Sequence, residues 1–110
     1  MPLKPGIYVA KGSTCQDPPN AAIRDYDRRS FATSSTRACR ARVVTRGGAT
    51  YRIEQSCINA GRGPGPRVID RFSVSVQDAL TFRLRRAGSV TQYRYCPIYQ
   101  LPKGLLPRVR

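Results

Sequence analysis

Alternating apolar and polar residues predict a β-hairpin between Cys39 and Cys57, in the segment CRARVVTRGGATYRIEQSC. Gly47-Gly48 lies near its middle and is typical of a turn, because glycine reaches positive φ without a Cβ clash. A turn centred on Gly48 places the two cysteines opposite each other, at a separation that a disulfide can close. A strict two-residue Gly-Gly turn would shift them out of register, so we expect a longer turn or a β-bulge.

The predicted register gives the hairpin a mostly apolar face and an arginine-bearing face, because strand side chains alternate between the two sides of a sheet. Facing pairs on the apolar side are Ala41 with Gln55, Val43 with Ile53, and Thr45 with Tyr51. Charged residues on the other side are Arg40, Arg42, Arg52 and Glu54. We therefore expect these arginines to point to solvent.

A second hairpin is predicted around Ala87-Gly88, which has the composition of a two-residue turn. Its register pairs apolar and aromatic residues on one face: Phe82 with Tyr93, Leu84 with Thr91, and Leu80 with Tyr95. The opposite face then carries Arg83, Arg85 and Arg94. If the two hairpins lie side by side, their outward arginines form one basic surface.

Further short strands are predicted on either side of these hairpins. Alternation indicates strands at 6–10 and 67–76, and a hairpin that turns at 27–29. About seven or eight short strands joined mostly by tight turns predict an all-β fold. We expect a small antiparallel meander that forms a closed or partly open barrel, with a two-sheet sandwich as the alternative.

Two segments interrupt this pattern. Pro64 and Pro66 exclude the glycine-rich segment 58–66 from a sheet interior. The backbone amides of residues 61–67 are a candidate nest for an anion, and a flexible loop is the alternative. The single predicted domain spans residues 1–100, and 101–110 form a basic, proline-broken tail.

Four cysteines in a short, turn-rich chain favour a disulfide framework and an oxidising compartment. Pairing Cys39 with Cys57 leaves Cys15 to pair with Cys96, which ties the first strand to the last and favours closure into a barrel. Four reduced thiols in a cytosolic protein are the alternative. Residues 1–5 do not read as a secretory signal, so we expect a mature periplasmic or extracellular form with an added start methionine.

The charge balance predicts an anionic partner. The chain carries 20 Lys and Arg against 6 Asp and Glu, a formal net charge of +14. This excess favours nucleic acid, acidic glycan, lipid headgroups or an acidic protein, unless the arginines are simply scattered over a soluble surface. The candidate anion-binding residues are Arg40, Arg42, Arg52, Arg83, Arg85 and Arg94. Because the aromatic residues fall on the inner face, base-specific nucleic-acid recognition is disfavoured.

Candidate chemistry for catalysis or metal binding is sparse. The chain has no histidine, which removes the commonest general base and metal ligand. Asp25-Tyr26-Asp27 places two carboxylates on one side of a strand, where they suit Mg²⁺ or Ca²⁺, although aspartate at this position is also typical of a turn. Cysteine spacing does not favour zinc, and we predict no metal site and no cofactor. No apolar run approaches the 18 residues of a membrane span.

These observations favour an exported, non-catalytic binding module that docks an arginine face onto an anionic macromolecule or surface. One alternative is a structural subunit that self-associates into a filament or particle through its strand edges. The other is a small hydrolase that uses two carboxylates at glycosidase spacing. The candidate pairs for that reaction are Asp25 or Asp27 with Glu54 or Asp70.

Overall fold

Eight antiparallel strands form one continuous sheet in the computed structural model, which describes residues 1–59 and 66–102. The strands are β1 (Gly6–Ala10), β2 (Ile23–Tyr26), β3 (Phe31–Ala32), β4 (Thr36–Gly47), β5 (Thr50–Asn59), β6 (Val68–Asp78), β7 (Thr81–Arg86) and β8 (Ser89–Tyr95). Short 3₁₀ turns lie at Asn20–Ala22 and Ile98–Gln100. The sheet curls into a nearly closed barrel, which confirms the predicted all-β meander.

Parts of two predicted segments lie outside the described residues. Of the predicted tail at 101–110, residues 103–110 are outside, and so are residues 61–65 of the predicted anion nest at 61–67. Within the described ranges, no helix combines the length and apolar character that crossing a membrane requires.

The first and last strands are neighbours in the sheet, as the predicted Cys15–Cys96 link requires. The strand order is β3-β2-β1-β8-β7-β6-β5-β4, and Tyr8 of β1 pairs with Tyr95 of β8. The disulfide between Cys15 and Cys96 forms beside this pairing. The ends of the sheet are therefore β3 and β4, and the seam of the barrel lies between these two strands.

Aromatic rings fill the barrel. Buried rings contact one another at centroid separations of 4.7 to 6.0 Å and include Tyr8, Tyr26, Phe31, Phe72, Phe82 and Tyr93. The Tyr8 hydroxyl donates a hydrogen bond to the Lys4 carbonyl at 2.6 Å. Burial raises the pKa of both Tyr8 and Tyr26, because the tyrosinate anion is poorly solvated inside the barrel.

A second, smaller core lies on the outer side of β1 and β2. Ile7, Val9 and Ile23 pack there against the Cys15–Cys96 disulfide and Leu101. The loop after β1 and the segment after β8 cover this side of the sheet, so β1 is buried on both faces. The continuous apolar run Ile7-Tyr8-Val9 is explained by this double burial, since each of its residues has a buried surface to occupy.

The central hairpin follows the predicted register over part of its length. Ala41 pairs with Gln55, and Val43 pairs with Ile53, and the Cys39–Cys57 disulfide forms. The predicted pairing of Thr45 with Tyr51 is wrong, because Thr45 pairs with Arg52.

The expected β-bulge explains that difference. The register shifts between Val43 and Thr45, and Gly47 pairs with Thr50. The two turn residues are therefore Gly48 and Ala49, so the turn is centred half a residue later than the predicted centre at Gly48, which has a φ of 59°. The bulge absorbs the extra residue of β4, so the cysteines remain opposed. In the second hairpin, Phe82 pairs with Tyr93 and Leu84 with Thr91 across the Ala87-Gly88 turn, as predicted. Leu80, predicted on the apolar face opposite Tyr95, instead precedes β7 and is 45% exposed.

A glutamine side chain closes much of the seam between β3 and β4. Gln55 is 2% exposed, and its Oε1 accepts a hydrogen bond from the Phe31 N–H at 2.7 Å. Its Nε2 donates to the Phe31 carbonyl at 3.0 Å. One backbone bond adds to this, from the Ala41 N–H to the Arg29 carbonyl at 2.8 Å. The amide of Gln55 thus pairs with β3 as a neighbouring strand would.

Candidate anion-binding site

Three of the predicted arginines lie together on the outer side of the sheet. Arg52 of β5 and Arg85 of β7 both stand opposite Ser73 of β6, so two strand spacings, about 10 Å, separate them. Arg83 stands opposite Ser75 in the next outward row. All three arginine side chains are exposed. We call this surface the outer arginine face, formed by Arg52, Ser73, Ser75, Arg83 and Arg85.

The cations of the outer arginine face have no neutralising partner in the described part of the chain. No ion pair or side-chain hydrogen bond joins Arg52, Arg83 or Arg85 to another described residue. The ion pairs found among residues 1–59 and 66–102 involve other arginines. Ser73 and Ser75 add hydroxyl groups between the guanidinium groups, and the Ser75 hydroxyl lies 3.0 Å from that of Thr50. The face therefore offers an oxyanion both charged guanidinium groups and neutral hydroxyl donors.

A carboxylate borders this face and holds two further arginines. Glu54 accepts hydrogen bonds from Arg42 at 3.0 Å and from Arg71 at 3.1 Å. These bonds lower the pKa of the Glu54 carboxyl below its usual range, and the bond from Arg42 has the largest effect. The carboxylate consequently stays ionised in moderately acidic solution and neutralises part of the positive charge beside the outer arginine face.

The other predicted arginines have different surroundings. The Arg94 guanidinium donates to the Ser13 carbonyl at 3.0 Å and to the Cys15 sulfur at 3.3 Å, so it holds the loop that covers β1. Arg40 lines a separate cleft of about 980 Å³ between β3 and β4. Three arginines that the sequence interpretation did not select also line this cleft: Arg28, Arg29 and Arg37.

The candidate catalytic carboxylates line three different cavities. Asp25 and Asp27 border the cleft at the seam, Asp70 lies at one end of the barrel, and Glu54 lies beside the outer arginine face. Glu54 and Asp70 point to opposite sides of the sheet, since Asp70 pairs with Gln55 rather than with Glu54. The proposed hydrolase pairs are therefore not brought together in a shared cavity.

Only the last residue of the Asp25-Tyr26-Asp27 motif lies in a turn, because Asp25 and Tyr26 belong to β2. Asp27 Oδ1 accepts hydrogen bonds from the backbone N–H groups of Arg29 and Ser30, both at 2.9 Å. This is the turn role that the sequence offered as the alternative to a cation site. Among the described residues, no group of three or more His, Cys, Asp or Glu side chains is arranged to hold a metal.

The serines of β6 were missed from the sequence because the basic surface was considered only for the case in which the two arginine hairpins lie side by side. β6 lies between them, and its outward residues at this level are small and hydroxyl-bearing. The alternation of serine with Phe72, Val74 and Val76 was the available signal, since it marks Ser73 and Ser75 as outward positions.

Comparisons with known proteins add no relative to this picture: no family model matches the chain, and neither a curated protein nor a solved structure shows significant similarity. The functional argument therefore rests on the geometry and charge of the residues described above.

Replacing Glu54 by glutamine is expected to strengthen binding to an anionic polymer by about two- to fivefold, because it releases Arg42 and Arg71 from a surface ion pair. The change is measured as the salt concentration that elutes the protein from heparin. The wild type should show the same gain only as the pH falls through the lowered pKa of Glu54, and the variant should lack this pH dependence.

Asp70→Asn is the matched control, since it removes the same charge from the inner side of the sheet. Equal gains in the two variants would show that net charge, and not the outer arginine face, controls retention.

Proposed function

We propose that this protein is a non-catalytic binding module that docks its outer arginine face onto an anionic macromolecule or surface. One observation carries the proposal: Arg52, Arg83 and Arg85 lie together, exposed, without a carboxylate partner among the described residues. An arrangement that served stability alone would be expected to pair these charges, because three adjacent cations repel one another.

The spacing of the cations favours a polymer with repeated charged groups, such as an acidic glycan. Guanidinium groups bind carboxylate, sulfate or phosphate oxygens through two parallel hydrogen bonds. Arg52 and Arg85 lie about 10 Å apart across β6, so they engage separate anionic groups rather than one. Anionic headgroups on a lipid surface and an acidic protein are the other partners of this class.

Two disulfides are typical of proteins from oxidising environments. We therefore place the proposed module in the periplasm or outside the cell, where envelope glycans and lipid headgroups are accessible.

Replacing Arg83 and Arg85 together by glutamine is expected to weaken heparin binding and to flatten its salt dependence. Each lost contact with a polyanion lowers the slope of log affinity against log salt by roughly 0.7 to 0.9. The slope of the double variant should therefore fall by about 1.4 to 1.8. Isothermal titration at several salt concentrations measures both quantities.

Arg28→Gln with Arg29→Gln is the matched control for this experiment. It removes the same formal charge from the turn between β2 and β3, away from the outer arginine face. Equal losses in the two double variants would contradict the proposal, because binding would then follow total charge and not position.

A structural subunit is the second candidate, and it is favoured by the edge of β4, which no further strand of the described residues covers beyond Ala41. Beyond Ala41 this edge extends past the seam, where Val43 and Val44 are each 49% exposed. Exposed apolar edge strands are sites of strand pairing between copies. Sedimentation of the wild type in high salt decides between the candidates: oligomers that persist there favour assembly, whereas a monomer favours the binding module.

A further inference from the structure

A buried arginine lies inside the barrel, on the opposite side of the sheet from the outer arginine face. Arg24 of β2 is 8% exposed. Its Nη1 donates to the Phe31 carbonyl at 3.0 Å, and its guanidinium carbon lies 5.7 Å from the centre of the Phe72 ring. No carboxylate of the described residues lies within 4.0 Å of its nitrogens.

This arrangement leaves much of the charge of Arg24 uncompensated. A guanidinium group carries five N–H donors and does not deprotonate in proteins. Burial of such a cation is costly unless it is paired with an anion and its donors are used. One carbonyl oxygen and one aromatic ring satisfy only part of this requirement. Arg24 therefore keeps N–H donors and positive charge with which it can bind a further, negatively charged partner.

Arg24 faces a cavity of about 240 Å³ at the open end of the barrel. Val68 and the Cys57 side chain provide apolar wall, and Arg86 stands at the rim with a largely exposed side chain. Asp70 also lines the cavity, and its carboxylate accepts a hydrogen bond from the Arg86 Nε at 2.8 Å. The charges of Arg86 and Asp70 offset each other, so the cavity keeps the net positive charge of Arg24.

Gln55 does not compensate the charge of Arg24, although both side chains line the cavity. Both polar atoms of its side chain are engaged by the backbone of Phe31, at 2.7 and 3.0 Å. Its carbonyl oxygen is therefore not the acceptor that Arg24 lacks, and the Phe31 carbonyl already accepts from both side chains.

We propose that this cavity is a binding site for a small oxyanion, the carboxylate or phosphate group of a small molecule, with Arg24 as its anchor. The remaining N–H donors of Arg24 would hold two oxygens of the ligand, as guanidinium forks do. Arg86 at the rim neutralises the Asp70 carboxylate, which would otherwise repel the ligand. The cavity volume admits a small molecule rather than a polymer, so this site is separate from the outer arginine face.

Inorganic phosphate and acetate are the probes, titrated into ¹⁵N-labelled protein at constant ionic strength with chloride as the balancing anion. We expect saturable shifts at the backbone amide of Phe31 and at the side-chain signals of Arg24 for at least one of them. The phosphate and acetate arms distinguish the two kinds of oxyanion. Arg24→Met should weaken binding about 10- to 100-fold, the effect of losing charge-assisted hydrogen bonds.

Two further variants keep the test decisive. Arg86→Gln changes an exposed residue at the rim and should weaken binding while the fold is retained. Arg83→Gln with Arg85→Gln should leave these shifts unchanged, although the same variant is expected to weaken heparin binding.

The wild-type titration decides alone if Arg24→Met does not fold. Shifts confined to the outer arginine face, or no saturable shift with either anion, would overturn the site. Arg24→Met with undiminished affinity would overturn it as well.

Discussion

Removal of the Cys15–Cys96 disulfide, by alanine at both positions, is expected to lower the free energy of unfolding by about 4.5 kcal/mol. The bond joins residues 81 positions apart, so it removes a large amount of conformational entropy from the unfolded chain. It also lies in the second core, where both cysteines are 1% exposed. Since small domains are stable by roughly 5 to 15 kcal/mol, the variant should be close to unfolding at physiological temperature.

Urea denaturation of the alanine variant measures this loss. The matched comparison is the Cys39–Cys57 bond, which joins residues 18 positions apart and should cost about 3 kcal/mol when removed in the same way. A larger loss from Cys39–Cys57 would contradict the loop-length argument and would indicate that the central hairpin limits stability.

Replacing Gln55 by leucine is expected to cost about 3 kcal/mol, because two buried backbone groups lose hydrogen bonds. The Phe31 N–H loses its acceptor, and the Phe31 carbonyl keeps only the bond from Arg24. The seam between β3 and β4 should open more often as a result. Hydrogen exchange at the Phe31 amide measures that opening directly, and urea denaturation measures the total cost.

Gln92→Leu is the control for the Gln55 variant. Gln92 pairs with Arg83 on the outer side of the sheet, so its replacement makes the same chemical change without touching the seam. Slow exchange at Phe31 in the Gln55 variant would show that the amide does not close the barrel.

Strands and hairpin registers were predictable because they depend on local periodicity. Val43 and Ile53, and Phe82 and Tyr93, are paired as alternation and turn position indicate. The disulfide pairing followed from the same register. The Thr45 pairing failed because a β-bulge moves every later residue by one position, and the sequence does not state which residue is the extra one.

The Gln55 hydrogen bonds and the second core also stabilise the barrel. Both depend on contacts between residues far apart in sequence, so local periodicity did not predict them. Gln55 is polar at an inward position, and its partner Phe31 lies 24 residues away. The second core forms only because a loop and the segment after β8 cover the outer side of β1. Alternation describes which side a residue takes, but not what covers that side.

The sequence predicted that the candidate site would consist of outward arginines, but not which residues would surround them. The charge excess and the outward positions of Arg52, Arg83 and Arg85 are read from the sequence. Arg42 forms an ion pair, whereas these three arginines form none with the described residues, and this difference depends on which neighbours the sheet supplies. The burial of Arg24 could not be predicted, because a lone arginine next to Ile23 in the sequence does not indicate a buried position.

The strand order has a consequence for how the chain folds. Each strand from β4 to β7 pairs with the next strand along the chain, so these pairings join residues that are close in sequence. β1 instead pairs with β8, so Tyr8 must pair with Tyr95, which lies near the other end of the domain in sequence. Because distant pairings form slowly, we expect the C-terminal meander to fold first and β1–β3 to dock last. β1–β3, which are synthesised before β4–β8, would then be the last strands to acquire their structure, and β1 would remain unpaired until the final strand is available.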